Sequence, residues 1–138
     1  MNYSRLALAA LGGTVAYFAF GFLVFTRPLL VDEYRKYSTI YRSEEGIKSV
    51  MPAGMACMFL AILVVAVMYA KMYPGESGVA QGAQFGALIG IFAVCAFVIH
   101  NYVNLNIGLK LTLLQAAAYF VEWTVVGMVI GLIYRPTA

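Results

Sequence analysis

Between Leu6 and Thr26 the chain carries no charged side chain, and the same holds from Ala53 to Ala70. From Ser77 to Leu109 the only titratable group besides tyrosine and cysteine is His100, and from Leu111 to Tyr134 the only charge is Glu122. A helix rises 1.5 Å per residue, so roughly 20 apolar residues cross a hydrocarbon core of ~30 Å. Four spans fit, at about 6–26, 53–72, 83–103 and 112–134. Among 138 residues 63% are hydrophobic and 11% charged, which leaves too little polar surface for an ordinary soluble domain. The expected fold is an all-α membrane protein, a four-transmembrane-helix bundle, with residues 1–138 forming a single integral membrane domain. Pro52 just before the second run suits a helix's first turn, where its missing N–H has no partner.

The first span is expected to be permanent. Arg5 supplies a basic start, but the apolar run exceeds the 7–15 residues of a signal core and continues past the small-x-small triplet Ala19-Phe20-Gly21. Cys57 and Cys95 fall inside spans and read as small packed thiols, without metal or redox spacing. A net charge of +3, dispersed along the chain, does not point to nucleic acid.

Lys and Arg beside the spans set orientation, because cytoplasmic loops hold their excess. One side has Arg27, Arg35, Lys36, Arg42, Lys48 and Lys110, and the other has Arg5, Lys71 and Arg135. The expectation is that both termini lie outside and the loop 27–51 is cytoplasmic. In that loop Leu30, Tyr34, Tyr37 and Tyr41 recur at i, i+4, i+7 and i+11. Such a stripe predicts an interfacial amphipathic helix between spans one and two, lying flat at headgroup level, with Ser43 and Gly46 breaking it. It could recognise anionic lipid or a partner, or serve only as a connector, since four acids accompany its five cations.

In lipid, close approach at small residues does much of the work of helix association. Gly82, Gly86 and Gly90 form two G-x-x-x-G steps in span three, Gly127 and Gly131 one step in span four, and Ala9, Gly13 and Ala16 share a face of span one. The spacing leaves open whether these faces pack within the chain or against another. The short PGESG and NLNIG connectors predict antiparallel neighbours, two with three and three with four.

Glu122 lies some twelve residues past Lys110, roughly 18 Å along span four. A charge there costs at least ~2.5 kcal/mol, and an intramembrane acid facing a bundle interior is a functional candidate by default. Gln115, Tyr119 and Glu122 form one polar stripe at i, i+4 and i+7, with Trp123 expected to face elsewhere. The stripe and Tyr17 make up a candidate proton or cation site. The competing reading is a protonated Glu122 bonded to Tyr17 or Thr14 as helix glue. His100, Asn101 and Asn104, in VIHNYVNLNIG, form either a polar vestibule or a helix C-terminal cap in which Asn takes the left-handed conformation. Glu122 is too deep to bond His100 directly.

No catalytic residue set, metal site or cofactor is expected. One histidine cannot supply two haem ligands or a three-His zinc site, and no phosphate loop or Ser-His-Asp pattern is present. The seven Met read as core filling.

The layout resembles a family of short bacterial four-span integral membrane proteins of unknown function. The likeness rests on PLL at 28–30, the glycines of span three, HNY at 100–102 and VGMVIGLIY in the last span. The resemblance implies the fold and brings no activity or functional residues. Three functions follow from the residues: a small homo-oligomeric transporter or carrier using Glu122, an accessory or scaffold subunit docking another membrane protein, or a membrane enzyme acting on a lipid or quinone near His100.

Overall fold

The computed structural model describes residues 1–73, 75 and 78–134. Of the PGESG connector, Pro74, Glu76 and Ser77 lie outside the described residues, as do residues 135–138, which include Arg135 of the charge count. The described residues form α1 (Tyr3–Phe25), α2 (Pro28–Arg35), α3 (Glu44–Met72), α4 (Val79–Ala93), a π-helical stretch (Val94–Ile99), α5 (His100–Asn104) and α6 (Leu109–Ile133). The α4, π and α5 segments run on as one rod, Val79–Asn104, and the rod, α1, α3 and α6 are each long and apolar enough to cross a membrane.

Local chemistry explains the ends. The Asn2 side chain accepts the Arg5 N–H at 3.1 Å and starts α1. At the other end the Arg27 Nε donates to the Leu23 carbonyl at 2.9 Å, and Thr26 Oγ1 to that of Phe22 at 2.6 Å, so carbonyls left open by the helix end are satisfied. Pro28 then opens α2 at a position where its missing N–H costs nothing.

The second span begins earlier than expected. Ser43 accepts the Gly46 N–H at 3.2 Å, Glu44 and Glu45 occupy the positive first turn, and Lys71 sits in the last. These terminus signals outweigh Pro52, which lies inside α3 rather than in its first turn. There it removes one backbone bond, to Lys48. At 29 residues α3 is roughly 44 Å long, so its first turns extend past a ~30 Å core. The residues read as breakers, Ser43 and Gly46, are the cap and first turn of a long helix.

Of the two neighbour pairs expected from the connectors, spans three and four pack together and spans two and three meet only weakly. The α4 and α6 helices make the most extensive contact, followed by α1 with α6 and α1 with α3. Spans two and three, joined by a short connector, meet mainly through rings: Tyr69 stands 5.5 Å from Phe85 and Tyr73 lies 6.5 Å from it, centroid to centroid. Around the bundle the order is therefore α3, α1, α6, α4. Glycine decides it. A Cβ on Gly90 would lie 3.0 Å from the Phe120 carbonyl oxygen, and one on Gly131 would lie 2.9 Å from the Gly82 Cα. The glycine faces of spans three and four are thus used against each other within the chain. Gly13 of α1 meets Ile62 of α3 and Ile130 and Val126 of α6, and Ala9 beside it is buried. Cys57 and Cys95 face outward and are exposed, rather than packed.

Tyr69, Phe85 and Tyr134 close one end of this arrangement with edge-on ring contacts. At the opposite end lie α2 and the connector before α6, and there the polar groups gather.

Candidate functional site

The Gln115 amide, 7% exposed, donates from Nε2 to Tyr34 Oη at 2.7 Å and to Tyr41 Oη at 3.3 Å. Two rings of the tyrosine stripe therefore face the bundle. The α2 helix stops after two turns at Arg35, and Tyr34 and Tyr41 turn into the bundle mouth as a T-shaped pair 4.9 Å apart. A buried amide must find partners, and phenol hydroxyls supply them while their rings fill apolar space. Burial pushes the Tyr34 phenol above the usual range, so its hydroxyl keeps a proton to donate while accepting from Gln115.

A second clamp fastens α2 to α6. Glu33 Oε1 accepts from Lys110 Nζ at 2.6 Å and from Lys36 Nζ at 2.7 Å. The carboxylate side chain is 5% exposed and the lysines 58% and 64%, so its cover comes from the lysine chains rather than from depth in the bundle. The bonds from Lys110 and then Lys36 hold Glu33 below its ordinary carboxyl value of 4.5. A group depressed on folding contributes stability above its unfolded value and loses it as pH falls through the folded one. In detergent, the thermal stability difference between wild type and Glu33→Gln should be constant at neutral pH and shrink below about 4.5 as protonation removes the clamp. A difference unchanged down to the acid limit would mean that the lysine bonds contribute nothing.

Below the tyrosines lies a cavity of about 610 Å³. Tyr17, Tyr34, Tyr41, Asn101, Gln115 and Tyr119 bring polar groups to its wall, and Phe97 and Trp123 bring apolar ones. Three of the four site residues named from sequence, Gln115, Tyr119 and Tyr17, therefore share one cavity. Glu122 is not on its wall. The carboxyl is 1% exposed and backs onto α1, where a Cβ on Gly21 would lie 3.0 Å from Oε1. Tyr17 and Tyr119 link the two, since they line the cavity and interact electrostatically with Glu122. Neither Glu122 oxygen has a hydrogen-bond partner among the described residues. The glue reading fails on this point: Thr14 Oγ1 is spent on the Ala10 carbonyl at 2.8 Å, and the Tyr17 ring packs at a tilt against Trp123, centroids 5.7 Å apart, without bonding the acid.

Trp123 also corrects an expectation. It stands four residues after Tyr119, one turn further on the same face, and so joins the cavity rather than facing away. Of the proposed vestibule, Asn101 lines the cavity, whereas His100 and Asn104 are exposed and do not. Nor does asparagine make a left-handed cap. The residue after α5 is Leu105 at φ −111°, ψ 143°, and no described residue lies in the left-handed region. The π stretch Val94–Ile99 sits just before Asn101. It shifts the helix register by an extra residue per turn, and such stretches are frequent at functional sites.

Sequence reasoning missed Gly21, Tyr34, Tyr41 and Trp123 as site members. The i to i+4 spacing from Tyr119 could have found Trp123. Gly21 has no local signature, because its role is to leave room for a side chain on another helix. Among the described residues no cluster of His, Cys, Asp or Glu could hold a metal ion.

The family described as "Protein of unknown function (DUF1761)" matches residues 8–131, from within the first span to within the fourth, and includes the polar end. The chain belongs to that family. The match agrees with the resemblance to a family of unknown function and covers every residue of the cavity wall. No curated protein and no solved structure matches the chain.

Proposed function

We propose that this chain is a small carrier for protons or a coupled cation, with Glu122 as the exchanging group. In this reading it sits in a bacterial inner membrane as a homo-oligomer, termini outside and loop 27–51 cytoplasmic. The carrying observation is that a mid-span carboxyl is buried with no hydrogen-bond partner among the described residues. A side chain kept for structure would be bonded or replaced by an apolar one, because an unpaired polar group in hydrocarbon is costly. Binding a proton converts the carboxylate to the neutral acid and removes that charge. Tyr119 and Tyr17 stand between the acid's surroundings and the cavity, and the cavity reaches the polar end through Gln115, Tyr34 and Tyr41. The accessory-subunit reading loses support because the glycine faces are occupied inside the chain. The enzyme reading loses support because His100 lies off the cavity.

The test is pH-gradient-driven proton flux into proteoliposomes holding a pH dye. Wild type is expected to conduct, and Glu122→Gln to elute normally and fall to the level of empty vesicles. A Gln variant with wild-type flux would refute the assignment. A hydrophobic carbodiimide, which reacts with protonated intramembrane carboxyls, should label Glu122 in the wild type and block that flux.

A further inference from the structure

A second hollow, of about 1030 Å³, lies outside the tyrosine pair, between the end of α1, the α2 loop and the first turns of α3. Its origin is in the packing. The α1 and α3 helices meet through Leu6, Ala9, Ala10 and Gly13 on one side and Ile62, Val65 and Ala66 on the other, all near the end remote from α2. Toward α2 they part, and residues 44–57 of α3 are exposed except for Gly46. The wedge so formed has an apolar floor of Phe22, Phe25, Ile47 and Met51, with Arg35 and Arg42 at its rim.

The rim cations are available. Among the described residues no carboxylate lies within ion-pair distance of Arg42. Arg35 pairs with Asp32 at 3.3 Å, but both side chains are largely exposed, at 75% and 65%, and such pairs contribute little. Guanidinium groups bind phosphate with paired N–H donors, and basic pockets beside membrane helices take anionic headgroups. Glu44 is the one carboxylate on the wall, and it sits in the first turn of α3, where the helix dipole offsets it.

From this we infer that the α1–α2–α3 wedge binds one anionic phospholipid, its phosphate held by Arg42 and Arg35 and an acyl chain laid along Phe22 and Met51. Glu122 is not on its wall, although Gly21, which backs onto that acid, is. Its occupant would touch Tyr34 and Tyr41, which are also walls of the inner cavity. An amphiphile fits better than a free anion because the floor is apolar and opens on exposed side chains of both helices.

Native mass spectrometry of the full chain, released from detergent micelles doped with phosphatidylglycerol or phosphatidylcholine, tests this. Wild type should retain one phosphatidylglycerol and no phosphatidylcholine. Arg42→Gln should lower retention about fivefold, and the double change with Arg35→Gln more than about tenfold. Lys48→Gln removes a neighbouring exposed cation that is not on the wall and should leave retention unchanged. Ile47→Trp fills the floor without altering charge and should abolish retention. Equal retention of the two lipids, a Lys48 effect as large as that of Arg42, or an Ile47→Trp variant that retains lipid normally would each overturn the proposal.

Discussion

Gly86→Ala is expected to lose at least ~3 kcal/mol of stability, the upper range for overpacking a filled interior, and to yield little monodisperse protein in detergent. The added Cβ would lie 3.0 Å from the Cα atoms of both Gly127 and Thr124 and nearer still to the Trp123 carbonyl oxygen. All three are backbone atoms in the middle of α6, so none can swing aside as a side-chain tip would. Relief requires α4 and α6 to separate, and that contact is the largest in the bundle. Two other glycines calibrate the result. Gly54 has nothing within 4 Å of its would-be Cβ, so Gly54→Ala should be neutral or gain up to ~1 kcal/mol from helix propensity. At Gly78 the Cβ would meet only the movable end of Gln81, at 2.9 Å, and its φ of 175° suits any residue. Even Gly78→Leu should therefore be milder than Gly86→Ala. Similar melting temperatures and elution profiles for all three variants would mean that the glycine seam does not hold the fold.

Glu122→Leu is expected to stabilise the protein, by about 1–3 kcal/mol on the usual cost of a buried unsatisfied polar group. The two side chains are of comparable size, Gly21 leaves room beside α1, and no hydrogen bond is lost because neither carboxyl oxygen has a partner among the described residues. Glu122→Gln should sit near wild type, since it exchanges one buried polar group for another. Thermal unfolding in detergent reads the order directly. A bonded glutamate would give the opposite sign, because removing one partner strands the other. If Glu122→Leu destabilises the protein by more than ~2 kcal/mol, on the scale of a broken buried bond, the acid is structural glue after all. Combined with loss of flux, a gain in stability would mark a residue retained against the interest of its own fold.

Much of the polar site was within reach of the sequence, but its geometry was not. Helical spacing placed Gln115, Tyr119 and Glu122 on one stripe, and all three face inward to the extent that spacing alone can require. The same arithmetic grouped Tyr34 with Tyr41, yet assigned them to the headgroups. An amphipathic face announces only that something apolar or amphipathic lies opposite, and lipid and bundle mouth satisfy it equally. The choice was made by Gln115, whose amide is 81 positions from Tyr34 in the chain and 2.7 Å from it in space. The start of α3 is written at Ser43-Glu44-Glu45, whose cap and first-turn acids outweigh Pro52.

The four spans follow from sequence alone, because charge and an unpaired backbone are both too costly in hydrocarbon to allow any other arrangement of such long uncharged runs. Depth is equally local: counting from Lys110 at a fixed rise puts Glu122 near mid-span whatever surrounds it. Direction around each helix axis is not local. That Gly86 meets Gly127 rather than another chain, that spans two and three are not close neighbours, and that Glu122 faces Gly21 with no partner all depend on how the other helices pack. Tertiary structure alone decided those, since a side chain's partner is set by atoms that its own stretch of sequence does not contain.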